Sequence, residues 1–287
     1  MNQIALLGTG AMGCRIADAW LSAGYDLIVY NRTPEKVSPL LDRGAQQAKT
    51  PKHAAEQADI VISMVTDDEA SRSIWLEPNV GAATGLRKGA IVIESSTLTV
   101  HWTRQLATAL EHRGARFLDA PVVGSRPQAE AKKMIYLVGG QAETLTVVHP
   151  ILSAVSAAIH HLGSVGQGML MKLAVNALFG AQIAAMGEIV GLLLSHGLSV
   201  EQSLDCLKQL PIMSPAVGGA SQLMVTGNHA PLFPIELVEK DFRYAIQSGQ
   251  EVHADLPIST MVHQTYQRAI AAGYGNSNIT GIVQLFT

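Results

Sequence analysis

The chain has 287 residues, a length that suits one large domain or two ordinary ones, and 48% are hydrophobic, which excludes a largely disordered protein. Charged residues make up only 15%, the formal net charge is −3 and there is no basic block, so no nucleic-acid or membrane partner is expected. Two cysteines, Cys14 and Cys206, are too few for a disulfide framework and suit a reducing compartment.

The first apolar run, Ile4–Leu7, has no signal-like segment ahead of it, so a cytoplasmic location is expected. It leads straight into Gly8-Thr9-Gly10-Ala11-Met12-Gly13. In a glycine pattern of this kind the first residue permits a tight turn, the second lets backbone approach a pyrophosphate, and the third lets a helix pack closely on the sheet. A helix N-terminus then offers unpaired N–H groups to the phosphates. A second run, Leu27–Tyr30, follows at the spacing of a βαβ unit and ends in Asn31-Arg32-Thr33. A carboxylate at Asn31 would favour NAD; an amide, a guanidinium and a hydroxyl favour a 2′-phosphate, so NADP is expected. The lesser alternative for Arg32 is an ordinary solvated loop residue. Cys14, at the start of the first helix, reads as a small buried residue without a catalytic role.

Further short apolar runs lie at 60–64, 91–93, 117–118, 135–138 and 159–162, as expected of strands buried on both faces of a parallel sheet. Thr33-Pro34 and Thr50-Pro51 mark helix starts, and the acidic run Asp67-Asp68-Glu69 is expected to cap the next helix. Residues 1–163 are therefore predicted to form a Rossmann-type, doubly wound α/β domain that binds NADP. His160 and His161 are adjacent in a strand and point to opposite faces; none of the ten histidines falls at metal-ligand spacing, so no metal is expected.

From about 166 to 196 the sequence is rich in Ala, Leu, Met and Ile and lacks proline, which predicts a helix of roughly 45 Å. Asn176 and Gln182 interrupt its most apolar stretch, so a buried helix is expected rather than a membrane span. More helices are predicted at about 199–209, 235–251 and 257–272, with Pro211, Pro215 and Gly218-Gly219 as punctuation. Residues 164–287 thus read as an all-helical domain, joined through the long helix. Gly168, Lys172 and Asn176 recur every four residues and share one helix face. In a functional reading Gly168 leaves room while Lys172 and Asn176 reach a bound oxygen, the lysine exchanging a proton with it. The spacing suits a snorkelling lysine near a helix end equally well. Glu188, out of line with that pair, is expected in a buried pairing at a domain or subunit interface.

Four motifs in order resemble the β-hydroxyacid dehydrogenases: the glycine loop, the Asp119-Ala120-Pro121-Val122-Val123-Gly124-Ser125-Arg126 stretch, the Gly168/Lys172/Asn176 helix, and Lys240-Asp241 seven residues after Phe233. The resemblance spans essentially the whole chain. It implies hydride transfer between NADP and a small β-hydroxy acid or semialdehyde, with Lys172 as acid/base and Asn176 orienting the substrate. It further implies cofactor contacts at Gly8, Gly10, Ala11, Met12, Gly13, Asn31, Arg32, Thr33, Met64, Val65, Thr97 and Lys240. Substrate contacts are implied at Val123, Gly124, Ser125, Arg126, Phe233 and Asp241, and a homo-oligomer is implied by the family's habit of packing helical domains together. The resemblance thus implies that residues 164–287 serve substrate binding and oligomerisation.

The substrate loop departs from the commonest pattern. Val123 stands where a serine is usual, and Ser125 replaces a glycine. Ser125 could take over as donor and Arg126 could bind an anion, which resembles the glyoxylate/succinic semialdehyde reductases more closely; if Arg126 faces solvent that hint disappears. Alternatives within the resemblance are 3-hydroxyisobutyrate dehydrogenase proper, an imine reductase and a non-catalytic NADP-binding module. The retained Lys172 argues against the last two.

Overall fold

The computed structural model describes residues 3–287 and divides into two compact units, one running through Lys172 and the other spanning Leu173–Thr287. In the first unit β1 (Ile4–Leu7), β2 (Leu27–Tyr30), β3 (Gln46–Gln47), β4 (Ile60–Ser63), β5 (Ile91–Glu94) and β6 (Arg116–Asp119) pair in parallel, in the order β3-β2-β1-β4-β5-β6. The aliphatic runs of β1, β4 and β5 are buried along their whole length, so they occupy the middle of the sheet. Strand order reverses at β1, which places the glycine loop at the switch point where doubly wound sheets bind ligands.

Helices α1 (Gly13–Ser22), α2 (Ser38–Leu41), α3 (Pro51–Glu56), α4 (Asp68–Leu76), α5 (Val100–Glu111), α6 (Arg126–Glu130) and α7 (Ala142–Ser153) complete this unit. Two expected caps are present. Thr50 Oγ1 accepts from His53 N at 3.1 Å, and Asp67 Oδ1 accepts from Ala70 N at 2.8 Å. Thr33-Pro34 instead opens a 3-10 turn, Pro34–Val37, and the Thr33 side chain makes no cap.

The sheet is not parallel throughout. After β6 the chain forms β7 (Val122–Val123) and α6, then returns as β8 (Met134–Gly140), antiparallel to both β6 and β7, and β9 (Ser156–His161) runs parallel to β8. This return sets Gly139 opposite Asp119. It prepares the landing of α8 (Gln167–Ser195), whose first turn lies directly on β8. A Cβ at Gly168 would stand 2.3 Å from the Leu137 carbonyl oxygen and 2.9 Å from Asp119 Oδ2. By its contacts the first compact unit extends through Lys172, because the first stretch of α8 packs on β8.

The second unit holds the rest of α8, α9 (Val200–Lys208), α10 (Pro215–Val225), α11 (Ile235–Gln250) and α12 (Pro257–Ala271), followed by the 3-10 segment Ile279–Leu285. The region around Pro215 was expected to break structure, yet it starts α10: Ser214 is the N-cap and Pro215 occupies the first turn, where its missing N–H costs nothing. The core is built around Phe242 and Tyr266, stacked at 5.6 Å, with the Tyr266 hydroxyl donating to the Gly180 carbonyl at 2.8 Å.

The long helix is less buried than its composition suggested. Met171, Leu178 and Leu192 are exposed at seven-residue multiples, with Leu178 at 66%, and Leu170 and Ile189 are exposed beside them. By length and composition this 29-residue helix could cross a membrane, although a third of its most apolar window is buried within the chain. Glu188 is exposed on the chain rather than held in an internal pairing.

Two glycines give opposite expectations. Gly168→Ala forces a methyl into backbone and should cost about 1–3 kcal/mol or more. Gly219, inside α10, has nothing within 4 Å of a built Cβ, so Gly219→Ala should stabilise by roughly 0.5–1 kcal/mol. Denaturant melts of both variants against wild type read the two signs.

Candidate active site

The glycine loop has the shape a pyrophosphate requires. Gly8 adopts φ +104°, and a Cβ there would lie 2.3 Å from the Met64 carbonyl; a Cβ at Gly13 would lie 2.1 Å from the Gly8 carbonyl. Gly10 faces open space, with nothing within 4 Å of a built Cβ. Ala11 beside it is exposed, and Met12 packs on the sheet core. The Thr9 hydroxyl is buried with no hydrogen-bond partner among the described residues, so an acceptor or donor brought by a ligand would satisfy it. These features fit a bound dinucleotide.

Asn31 sits at the expected place with a structural task. Its Oδ1 accepts from Thr9 N at 3.1 Å and its Nδ2 donates to the Thr33 carbonyl at 2.9 Å, tying the glycine loop to the end of β2. A cleft of about 730 Å³ opens beside the loop, lined by Thr9, Gly10, Ala11, Cys14, Arg15 and Lys36 among others. Arg32 and Thr33 are exposed and do not line it; Lys36, which sequence reasoning passed over, does. Its signal was a cation in the turn directly after the second strand. Cys14 is half-buried on the cleft wall, not a filled core position, with its Sγ 3.6 Å from the Ala11 carbonyl.

At the ends of β4 and β5, Met64, Val65 and Thr97 are half-buried. Val65 N donates to Ser96 Oγ at 2.8 Å, and Ser96 N donates to Glu94 Oε1 at 3.0 Å. Glu94 is fully buried and also accepts from the Ser71 hydroxyl at 2.8 Å and Trp75 Nε1 at 3.1 Å. A single carboxylate thus anchors the two loops that carry Val65 and Thr97. Thr99 adds a second tie, donating through its N and Oγ1 to Asp68 at 2.9 and 2.7 Å.

In the substrate loop, Val123 pairs with Ile135 of β8. Gly124 has φ +127°, which only glycine adopts readily, and Met134 would crowd a side chain there. The Ser125 hydroxyl donates to Gln128 Oε1 at 3.0 Å, so the donor role expected of it is already taken within the loop. Arg126 does not simply face solvent: its Nε is buried and has no hydrogen-bond partner among the described residues.

Lys172 and Asn176 are one turn apart on α8 and only 8% and 7% exposed. Gly168, in line with them, does not leave room for a ligand; its missing side chain lets α8 touch β8. In the second unit Asn176 Nδ2 donates to Asp241 Oδ2 at 2.6 Å, and Lys240 Nζ lies 3.2 Å from Asp241 Oδ1 and 5.0 Å from the Tyr244 ring centroid. Lys240 and Asp241 are 8% and 3% exposed, so the pair is buried rather than solvated. Phe233 is half-buried against the helical core, and its N donates to Asn278 Oδ1 at 3.0 Å.

Residues 3–163 match the family model described as the NAD binding domain of 6-phosphogluconate dehydrogenase, and residues 166–286 match that described as NAD-binding of NADP-dependent 3-hydroxyisobutyrate dehydrogenase. An uncharacterized oxidoreductase of Bacillus subtilis, YfjR, is 33% identical over 285 residues, covering 98% of this chain and 99% of that protein. Glyoxylate/succinic semialdehyde reductase 2 of Arabidopsis thaliana, a chloroplastic protein, is 29% identical over 284 residues, covering 98% of this chain and 78% of the reductase. Among solved structures, Mycobacterium tuberculosis 3-hydroxyisobutyrate dehydrogenase with L-serine superposes with a TM-score of 0.90 at 25% identity, covering 99% of both chains.

Burial holds the Glu94 carboxyl above its ordinary value of 4.5, against the pull of its hydrogen-bond donors. The folded chain therefore keeps this proton to higher pH than the unfolded chain. The corresponding stability is complete below the unfolded value and is lost as pH rises through the folded one. Relative to Glu94→Gln, wild type should be strongest in acid and lose ground from about pH 4.5 upward. Paired urea melts across this range test the sign, and an offset that is flat or grows with pH contradicts it.

Proposed function

The chain belongs to the β-hydroxyacid dehydrogenase family, and we propose that it is an NADP-dependent enzyme that interconverts small β-hydroxy acids with semialdehydes or oxo acids, using Lys172 as acid/base. As a member it is an oxidoreductase acting on CH–OH or C=O groups. The observation that carries the finer reading is the burial of Lys172 and Asn176 together, one turn apart. A snorkelling lysine would keep its head in water.

A bound nicotinamide supplies or takes the hydride. Lys172 donates a proton to the substrate oxygen during reduction and accepts it in the reverse direction. Asp241 fixes the orientation of the Asn176 amide, which serves to orient the substrate. Arg126, with its buried Nε, is the group that supports an acidic substrate, in keeping with the semialdehyde reductase among the relatives. Thr9, Gly10, Ala11 and the start of α1 would hold the pyrophosphate, and Met64, Val65 and Thr97 would contact the nicotinamide. With a neutral Asn31 in place of a carboxylate, Arg32, Thr33 and Lys36 serve the 2′-phosphate. The exposed stripe of Met171, Leu178 and Leu192 supports a homo-oligomer in which a second copy covers α8.

Wild type and Lys172→Ala should be compared for NADPH oxidation with glyoxylate, succinic semialdehyde, methylmalonate semialdehyde and tartronate semialdehyde. At least one acid should turn over, and Lys172→Ala should lower its kcat by about 10²–10⁴-fold. A fully active variant contradicts the mechanism. Arg32→Ala and Lys36→Ala should each weaken NADPH binding by about tenfold, with NADH binding little changed; equal losses for both cofactors would remove the 2′-phosphate assignment.

A further inference from the structure

Asp119 ends β6 and is fully buried, and both of its carboxylate oxygens meet the start of α8. Oδ1 accepts from Gly166 N at 2.7 Å and Oδ2 accepts from Met169 N at 2.8 Å. These are N–H groups at a helix start, where intrahelical partners run out and the helix dipole favours an anion. Burial raises the Asp119 pKa, and the two backbone donors and Arg104 oppose that rise. The same turn is fixed at two other points. Gly168 touches the Leu137 carbonyl closely enough to exclude any side chain, and Met169 Sδ lies 3.1 Å from Leu98 N. Lys172 follows Met169 by three residues on the same rigid helix, so any slide or rotation of the first turn displaces the lysine directly.

We propose that Asp119 is a positioning residue that sets the height and rotation of α8 on the sheet, and thereby the place of Lys172. The inference rests on the acid/base reading of Lys172. Asparagine is nearly isosteric but offers one strong acceptor in place of two, so its amide N–H would face either Gly166 N–H or Met169 N–H, donor against donor. The turn should then relax outward while the dinucleotide loop, held by other contacts, keeps its shape.

The test is a double-mutant cycle on the holoenzyme, with NADPH and the panel acid that wild type reduces fastest. Asp119→Asn should lower kcat by about 10- to 100-fold, as expected for a catalytic group misplaced by about an ångström, with the KM for the acid and the Kd for NADPH little changed. Combined with Lys172→Ala it should add no further loss, because the residue acts through the lysine. Multiplying losses, an unchanged kcat, or an equal loss of NADPH affinity would each overturn the proposal. If Asp119→Asn does not fold, Asp119→Ser, which keeps one acceptor, carries the same cycle; failure of both to fold makes the residue a stability determinant and overturns the proposal. A Lys172→Ala variant that stays active sinks the acid/base reading itself, whereas an inactive Lys172→Ala beside an unaffected Asp119→Asn sinks only this inference. Amide hydrogen exchange over residues 166–173 needs no turnover. Faster exchange confined there in Asp119→Asn is expected, and unchanged exchange contradicts the clamp.

Discussion

The landing of α8 on β8 is a contact between two backbones with no side chain between them. A helix can approach a strand this closely only where it presents glycine, and the strand must turn its own glycine toward the same spot; Gly168 and Gly139 meet both needs around the Asp119 carboxylate. The antiparallel return of β8 follows from the same requirement, since it brings Gly139 back beside the end of β6. Once the first turn is fixed, the direction in which Lys172 leaves the helix follows from helical geometry alone.

Buried carboxyl groups recur where the chain holds a loop or a helix end in place. Glu94 gathers donors from α4 and from the loop after β5, and Asp119 gathers the first N–H groups of α8. In the helical unit Asp241 stands between an amide and an ammonium. Each carboxylate loses hydration on burial and recovers part of it through oriented donors, so none is a cheap source of stability. What such arrangements supply is geometry: removing a carboxylate leaves several donors without a common target.

Much of this architecture can be read from the residues. Uninterrupted aliphatic runs located the central strands, the glycine pattern located the switch point, and the proline-free stretch located α8 almost to its ends, Gln167–Ser195. Strand direction was not legible at β8, because a run buried on both faces looks the same parallel or antiparallel. Pro215 misled because proline is punctuation in a helix interior and ordinary in a first turn. The exposed stripe of α8 was hidden because apolar residues occur all around this helix, so its sequence does not say which of them meet the core. The site was legible in kind and less so in detail. Lys172, Asn176 and the glycine loop stand out by spacing, whereas the roles of Asp119 and Gly168 depend on partners distant in sequence, 47 residues on in the case of Asp119 and Gly166.

The helix that joins the two units belongs partly to each, and this constrains how the chain can be divided. A fragment ending at residue 163 would keep Asp119 and discard both of its backbone donors, Gly166 N and Met169 N. The boundary between the two compact units falls inside α8, after Lys172. In recombination between relatives the lysine would therefore travel with the nucleotide-binding half. Asn176, with Asp241 and Lys240, would travel with the helical half. Two residues one turn apart are thus inherited through different structural units, and an exchange of halves renews the amide's surroundings while leaving the lysine on its original sheet.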